Sequence, residues 1–176
     1  MKRSWLVLVL ALCLAFGLRA LLLIDATALW SDELYSVGKS FQPSIVSMLA
    51  MLRQDTHPPA YYALLWLWGH LVGQSPVSLR LLSWLAYLAG GLVMVRQAMA
   101  LGQAGTRARV GAVAALLAFC SPYPIRFAIE GKSYAVLVLL VALAWWWRRS
   151  GNPIAYGAVA GLAGLCLLYT SDAADD

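Results

Sequence analysis

A polar stretch at residues 30–62 groups several side chains that could do chemistry, and long hydrophobic runs flank it on both sides. It contains the acids Asp32, Glu33 and Asp55 and the histidine His57. A carboxylate can accept a proton from an attacking hydroxyl group, and a carboxylate with an imidazole suits a divalent metal ion. These residue types and their spacing predict one part of a binding or catalytic site.

A second, shorter polar segment at residues 122–133 carries the acid Glu130 between the basic residues Arg126 and Lys132. Ionisable groups at membrane depth usually serve a function, because burying them is costly. The alternative is an ordinary interfacial cluster of ion pairs around Glu130. If both segments lie on one side of a membrane, we expect them to form a single site.

The composition indicates an integral membrane protein made of helices. Of the 176 residues, 62% are hydrophobic and 12% are charged, and the mean hydropathy is +0.74. Soluble domains are nearer half apolar and a quarter charged. The net charge of +5 does not indicate nucleic-acid binding, because the basic residues cluster at the ends of apolar runs, where they orient membrane helices. The three cysteines lie singly in apolar runs, and we expect them to be core residues.

Five apolar runs predict membrane-spanning helices in an all-α, polytopic fold. The first run follows Lys2 and Arg3, and its Arg19 lies near the far end, where a long side chain can reach the interface. A cleaved signal peptide is the alternative for this run, although the run exceeds the usual signal core of about 7–15 residues. The five runs are residues 5–24, 79–95, 110–123, 134–147 and 153–168.

The basic residues decide the topology. A sixth apolar run, residues 60–72, is too short to span the membrane and is rich in interface aromatics. If it crossed, the arginines at 96–109 would lie outside; with it on the outer face, they lie inside together with Arg148 and Arg149. We therefore expect both polar segments on the outer face. The aromatic residues expected among lipid headgroups are Tyr61, Tyr62, Trp66 and Trp68.

Local patterns within the first outer segment have structural explanations as well. Ser31 or Asp32 could simply cap a helix beginning at Glu33. Neighbouring residues cannot point the same way in regular structure, so Asp32 and Glu33 should differ in role. Pro43 is expected to open a short amphipathic helix in the interface plane. Its apolar face would hold Ile45, Val46, Met48, Leu49 and Leu52.

Four motifs occur in the order and spacing of a known group of enzymes. They are WSDELYS at 30–36, DTHPPAYY at 55–62, SLRLLS at 78–83 and PYPIRFAIEGKSYA at 122–135. Together they resemble the polyprenyl-phosphate-sugar-dependent glycosyltransferases of the GT-C fold. The resemblance is to the protein-mannosyltransferase and aminoarabinose-transferase superfamily (glycosyltransferase family 39-like, with RgtA/B/C/D-like members), and it covers residues 1 to about 165.

The resemblance implies an inverting transfer of sugar from a polyprenyl-phosphate donor to a lipid, glycan or protein acceptor. It implies a multi-pass protein of a bacterial inner membrane with its site on the outer face. Asp32 matches the family's catalytic aspartate and would be the base, and Glu33 would support the acceptor or a metal. A divalent metal ion, of unspecified identity, would be held by Glu130 and Asp55. The implied substrate-binding residues are Asp55, His57, Arg80, Arg126, Lys132 and Tyr134.

The implied partners are the lipid-linked sugar donor and membrane lipids, with no nucleic acid, and the sequence leaves protein partners open. The chain departs from the family pattern at Lys132, where an arginine is usual, and lysine keeps the charge but loses bidentate phosphate binding. Some of these residues also have plain structural explanations. Asp55 and His57 could be an acidic turn and a solvent-facing histidine, and Arg80 could only anchor its helix.

Residues 1–165 are expected to be the N-terminal part of a GT-C transmembrane module, a fragment that would be inactive alone. Residues 166–176 turn abruptly from apolar to acidic and are expected to be a non-native tail. A transporter or channel fragment is the alternative function, and its charges would lie at mid-span. A third possibility is a non-catalytic membrane scaffold.

Overall fold

The computed structural model describes residues 4–53, 58–121 and 127–167 of the chain. Those ranges contain helices and turns but no β-strand, which confirms the all-α prediction. Eight helices lie wholly within them: α1 (Ser4–Leu22), α2 (Ser31–Ser40), α3 (Ile45–Leu52), α4 (Pro59–Val72), α5 (Pro76–Leu101), α6 (Arg107–Cys120), α7 (Tyr134–Arg149) and α8 (Pro153–Leu167).

The helix starts follow local sequence. Proline opens α4 and α5 in the first turn, where its missing N–H costs nothing. Ser75 caps α5 by accepting from the Ser78 amide at 3.1 Å. The α3 helix begins two residues after Pro43, because Ser44 and Ser47 exchange side-chain and amide hydrogen bonds, each at 3.1 Å. The prediction that Pro43 lies in the first turn of this helix was therefore wrong, because Ser44 is the N-cap and the helix begins at Ile45.

Among the described helices, only α5 is long and apolar enough to cross a membrane, with 26 residues and a mean hydropathy of 1.5 over an 18-residue stretch. Two shorter apolar helical segments, Leu6–Leu22 and Pro153–Cys166, lie below that length. At 1.5 Å per residue, α5 extends about 39 Å, more than the ~30 Å of a bilayer core. Its length exceeds the run predicted from hydropathy by several residues at each end.

The α5 helix lies at the centre of the packing and runs parallel to α7. Their contacts advance together along both helices, from Ser83 beside Glu130 to Gln97 bonded to the Ala142 carbonyl at 2.8 Å. The backbones approach closely at Gly90, where an added Cβ would lie 3.3 Å from the Leu139 Cα. Small residues permit such close packing of apolar helices. On the outside of this pair, α6 packs on α5 and α1, and α8 packs on α7.

The helices of the first polar segment form a small layer against α5. Tyr61 and Tyr62 of α4 are 3% and 4% exposed, so the prediction that they lie among lipid headgroups was wrong. Trp66 and Trp68 are half-buried, and their indole N–H groups donate to the backbone carbonyls of Gln42 and Ser78. The two tyrosine rings fill space in the core, and the two indole N–H groups keep hydrogen-bond partners there, as buried aromatic residues usually do.

The short α3 helix turns only part of its predicted apolar face towards the protein. Met48 and Leu52, one turn apart, are buried against this layer, whereas Ile45, Val46 and Leu49 are exposed. The helix therefore has one side packed on protein and an adjacent apolar side that is uncovered.

Candidate functional site

A buried ion pair joins α2 to the first turns of α5. The Arg80 guanidinium donates from Nε to Glu33 Oε1 at 2.9 Å and from Nη2 to Oε2 at 2.7 Å. The two side chains are 4% and 1% exposed. This fork-to-fork geometry is the strong, orientation-specific form of an arginine–carboxylate contact. It fixes where α2, and therefore Asp32, sits relative to α5.

The remaining Arg80 donors bind the turn after α1. Nη1 donates to the carbonyls of Ile24 and Thr27 at 2.8 and 2.9 Å, and Nη2 donates to Ala28 at 3.1 Å. With the two bonds to Glu33, all five N–H groups of the guanidinium have acceptors. Arg80 was expected to contact a lipid phosphate or anchor its helix. Its bonding gives it the anchoring role, since no donor is left for a phosphate.

Glu33 is also held by the backbone of two separated segments. Oε1 accepts from the Gly131 amide at 2.8 Å, and Oε2 accepts from the Trp30 amide, at the start of α2, at 3.4 Å. The expectation that Glu33 supports the acceptor or a metal was therefore wrong: its carboxylate is buried and its acceptor sites are taken by the protein. The same contacts explain why neither Ser31 nor Asp32 is needed as the helix cap, because Glu33 reaches back to Trp30 from the third helical position.

Burial would raise the pKa of the Glu33 carboxyl, but hydrogen bonds from Arg80 and Gly131 and the charge of Arg80 outweigh it and lower that pKa below its ordinary value of 4.5. The pair therefore contributes stability above the unfolded-state pKa and loses it as the pH falls through the folded value. We expect Glu33→Gln to be less stable than the parent at pH 7, with the gap closing below about pH 4.5. Thermal unfolding in detergent at several pH values measures this.

The control for that titration is Asp32→Asn, which removes a partly exposed acid of the same helix whose ion pair contributes little stability. Its melting temperature should follow that of the parent across the same pH range. If the difference in melting temperature between Glu33→Gln and the parent stays constant down to pH 3, protonation of the Glu33 carboxyl does not cause the loss of stability at low pH.

Asp32, the residue before Glu33, points the other way and reaches Lys132. The Lys132 Nζ lies 3.8 Å from Asp32 Oδ2, and the two side chains are 14% and 40% exposed. Asp32 therefore presents an accessible carboxylate beside a cation, while its neighbour is buried. This confirms that the two acids differ in orientation, as the helical geometry requires.

The Glu130–Lys132 turn is fixed against the outer part of α5. The Lys132 amide donates to the Glu130 carbonyl at 2.7 Å, and the Ser83 hydroxyl donates to that same carbonyl. Gly131 packs so tightly that an added Cβ would lie 2.5 Å from Leu79, a fully buried side chain. The structure therefore brings Asp32 and the Glu130–Lys132 turn together, although about 100 residues separate them.

Sequence reasoning gave no role to a second cation on the Asp32 side of α2. Lys39 lies 5.7 Å from the Tyr35 ring centre and 5.5 Å from that of Tyr62, within the range of cation–π attraction. Asp32, Tyr35 and Lys39 are spaced i, i+3 and i+7, so they share one helical face. That spacing was the signal available in the sequence. This face of α2 therefore carries Asp32 and Lys39, and Lys132 approaches it from the Glu130–Lys132 turn.

Tyr134 lies at the start of α7, beside an apolar cavity. Its ring is 42% exposed and meets Phe127 edge to face, with ring centres 5.0 Å apart. The cavity has a volume of about 250 Å³ between α5, α6 and α7, and its wall also includes Tyr87, Gly91 and Met94. An apolar chain entering there would pass Tyr134 close to the Glu130–Lys132 turn.

Three predicted site residues, Asp55, His57 and Arg126, lie outside the described residues. The proposed metal pair of Glu130 and Asp55 therefore lies partly outside the described residues. Within residues 4–53, 58–121 and 127–167, no group of three His, Cys, Asp or Glu side chains is placed to hold a metal ion. Glu130 itself is half-buried in its turn.

Comparisons with known protein families, with curated proteins and with solved structures find no match to this chain.

Proposed function

We propose that the chain is part of a membrane glycosyltransferase that moves a sugar from a polyprenyl-phosphate donor to a hydroxyl acceptor at the outer face of a bacterial inner membrane. The observation that carries the proposal is the accessible Asp32 carboxylate with Lys132 at 3.8 Å, built on a buried Glu33–Arg80 link. The four motifs that resemble the GT-C glycosyltransferases supply the reaction class, and their Asp32 and Lys132 positions are the two that meet.

The exposed apolar surface supports a multi-pass placement with α1, α5, α6, α7 and α8 in the membrane. Each of these five helices carries large apolar side chains that are more than half exposed, as expected of helices that face lipid. They include Val7, Leu14, Leu92, Leu117, Val141 and Ile154. The helices too short to span a flat bilayer would lie in a locally thinned one or extend through their flanking turns.

The distribution of charge along α5 supports the sidedness. Between Arg80 and Arg96 the helix carries no charged residue, a separation of about 24 Å along its axis. The acids lie at the Arg80 end, whereas Arg107, Arg109 and Arg149 belong to helix ends near Arg96. The positive-inside rule puts the arginine end in the cytoplasm and Asp32 outside. A transport pathway would instead require charges in the uncharged middle of this helix.

In the proposed reaction, Asp32 accepts the proton of the acceptor hydroxyl as its oxygen attacks the anomeric carbon. The new carbon–oxygen bond forms on the face opposite the donor phosphate, so the configuration is inverted. The bond from the anomeric carbon to the phosphate oxygen breaks, and the polyprenyl phosphate leaves with the electron pair. Lys132 and Lys39 would meet the charge that builds on that phosphate, and the cavity beside Tyr134 would take the start of the prenyl chain.

The test is release of polyprenyl phosphate from a polyprenyl-phosphate-linked sugar by the complete enzyme in liposomes, since the resemblance implies that further spans complete the module. We expect Lys132→Met to lower turnover about tenfold to a hundredfold. Removing a hydrogen-bond donor that stabilises transition-state charge in a site without water costs about 10²–10³ in turnover. The loss should be smaller here, because Lys132 is partly exposed to solvent. Lys132→Arg should restore most of it, since the charge returns and arginine binds phosphate well.

Folding is checked by the thermal unfolding of each variant. Turnover that is the same in Lys132→Met, Lys132→Arg and the parent would remove the phosphate role of Lys132. No release by the parent with any prenyl-linked sugar would remove the glycosyl-transfer proposal itself.

A further inference from the structure

A cavity between the last turns of α5 and α7 lies at the end of the helix pair away from Asp32. It has a volume of about 200 Å³, and its wall is made by Arg96, Gln97 and Ala100 of α5 and by Trp146, Arg149 and Ser150 at the end of α7. Two of the six lining residues are arginines, and none is acidic. Within the described residues, no carboxylate pairs with either arginine.

The geometry of this cavity is suited to an anion. The Arg96 guanidinium lies 4.8 Å from the Trp146 ring centre, and such stacking orients the guanidinium without using its N–H donors. Arg149 supplies a second guanidinium, whereas the Ser150 hydroxyl already donates to the Trp147 carbonyl at 2.9 Å. Two arginines that keep donors available can bind phosphate oxygens in pairs. The α7 dipole alone would account for Arg149, but Arg96 lies more than one turn before the end of α5 and does not serve that purpose.

The surroundings indicate that the phosphate belongs to a lipid. A second cavity, about 530 Å³ and lined by side chains such as Met94, Leu101, Val141 and Trp145, adjoins the first at Gln97. Leu101 and Val141 are 68% and 55% exposed. A molecule whose phosphate reaches the arginines would find apolar surface immediately beside them. The volume of the basic cavity is below the ~300–1,000 Å³ of sites for whole drug-sized ligands, which fits a headgroup phosphate.

We propose that this cavity, which we call the basic pocket, binds the phosphate of an acidic phospholipid on the cytoplasmic side of the membrane. The ligand class follows from the two guanidiniums beside an apolar groove between membrane helices. The proposal rests on the membrane placement proposed above but not on glycosyl transfer, because the basic pocket lies about 24 Å along α5 from Arg80. A bound lipid here would hold α5 and α7 together at the end where the Glu33–Arg80 link does not reach.

The experiment compares lipid retention by the purified chain in micelles, measured by native mass spectrometry across a titration with phosphatidylglycerol or phosphatidylcholine. We expect the parent to retain phosphatidylglycerol in preference. Arg96→Gln with Arg149→Gln should weaken that retention about a hundredfold, taking roughly tenfold for the charge-assisted hydrogen bonds that each guanidinium gives the phosphate. Arg107→Gln with Arg109→Gln removes the same charge from the same end, outside both cavities, and should weaken retention only a few-fold.

Equal losses in the two double variants would overturn the proposal, since they would show attraction to charge without a site. If millimolar inorganic phosphate or glycerol phosphate displaces bound phosphatidylglycerol as effectively as added phosphatidylglycerol does, the assignment of the ligand as a lipid is overturned. If the glutamine variant fails to fold, Arg96→Lys with Arg149→Lys keeps both charges, and a loss of retention in it would support paired binding by guanidinium. Flotation with phosphatidylcholine vesicles reports membrane insertion separately, and absence of insertion would remove the placement on which the proposal depends.

Discussion

Asp32→Asn is expected to lower sugar transfer from the polyprenyl-phosphate donor by about 10²–10⁴-fold, the usual contribution of a positioned general base. The amide has nearly the same shape as the carboxylate but cannot take the proton of the acceptor hydroxyl. The ion pair with Lys132 is part-exposed at 3.8 Å and contributes little stability, so the variant should fold normally. The measurement is single-turnover release of polyprenyl phosphate by the complete enzyme.

The matched control is Asp25→Asn, which makes the same change at an exposed acid that precedes α2 and lies outside the proposed site. Its turnover should equal that of the parent. For Asp32→Asn, the loss should be in kcat with the apparent donor affinity retained, because the base acts in the transition state and the lysines bind the phosphate. Full activity of Asp32→Asn would show that another group takes the proton.

The helical pattern of this chain could be predicted from sequence because hydropathy and local capping determine it. Residues 81–95 carry no charge and lie between a capped start at Ser75 and a glycine at Gly102, and α5 follows from these features. The same local rules correctly separated Asp32 from Glu33 in orientation. Local rules fail where a partner comes from far along the chain.

The role of Glu33 is such a case. Its partners Arg80 and Gly131 lie 47 and 98 residues away, and no local pattern marks a carboxylate that will be buried. Tyr61 and Tyr62 gave a similar error, because an aromatic pair in an amphipathic helix has the same sequence whether lipid headgroups or α5 cover it. Composition predicts that a residue can lie at an interface, but the tertiary packing decides whether it does.

Arg80→Met is expected to lower the free energy of unfolding by about 3–5 kcal/mol, the usual cost of leaving one member of a buried ion pair without its partner. The loss should lie at the upper end of that range. The substitution strands the Glu33 carboxylate, and it also leaves the carbonyls of Ile24, Thr27 and Ala28 without the donors that now bind them, each at a cost of about 1–3 kcal/mol when no water replaces the donor. Reversible unfolding in mixed micelles measures the change.

A double-mutant cycle separates the charge from the carbonyl contacts. Glu33→Leu removes the carboxylate but strands the Arg80 cation, and the double variant of Glu33→Leu with Arg80→Met removes both charges. We expect the double variant to be destabilised by less than the sum of the single changes, with a coupling energy of about 0.5–3 kcal/mol. The unbound carbonyls should keep it less stable than the parent. Arg107→Met, at an exposed arginine that begins α6, should change stability by no more than about 0.5 kcal/mol.

The same cycle connects stability to the proposed site, because the Glu33 carboxylate also holds the Gly131 amide at 2.8 Å. When the link is broken, the Glu130–Lys132 turn keeps only its contacts with Ser83 and Leu79. Lys132 would then no longer be fixed beside Asp32. We therefore expect Arg80→Met to lower turnover at temperatures where it is still folded, while Arg107→Met does not. Parent-like turnover in folded Arg80→Met would mean that Asp32 and Lys132 are positioned without the buried pair.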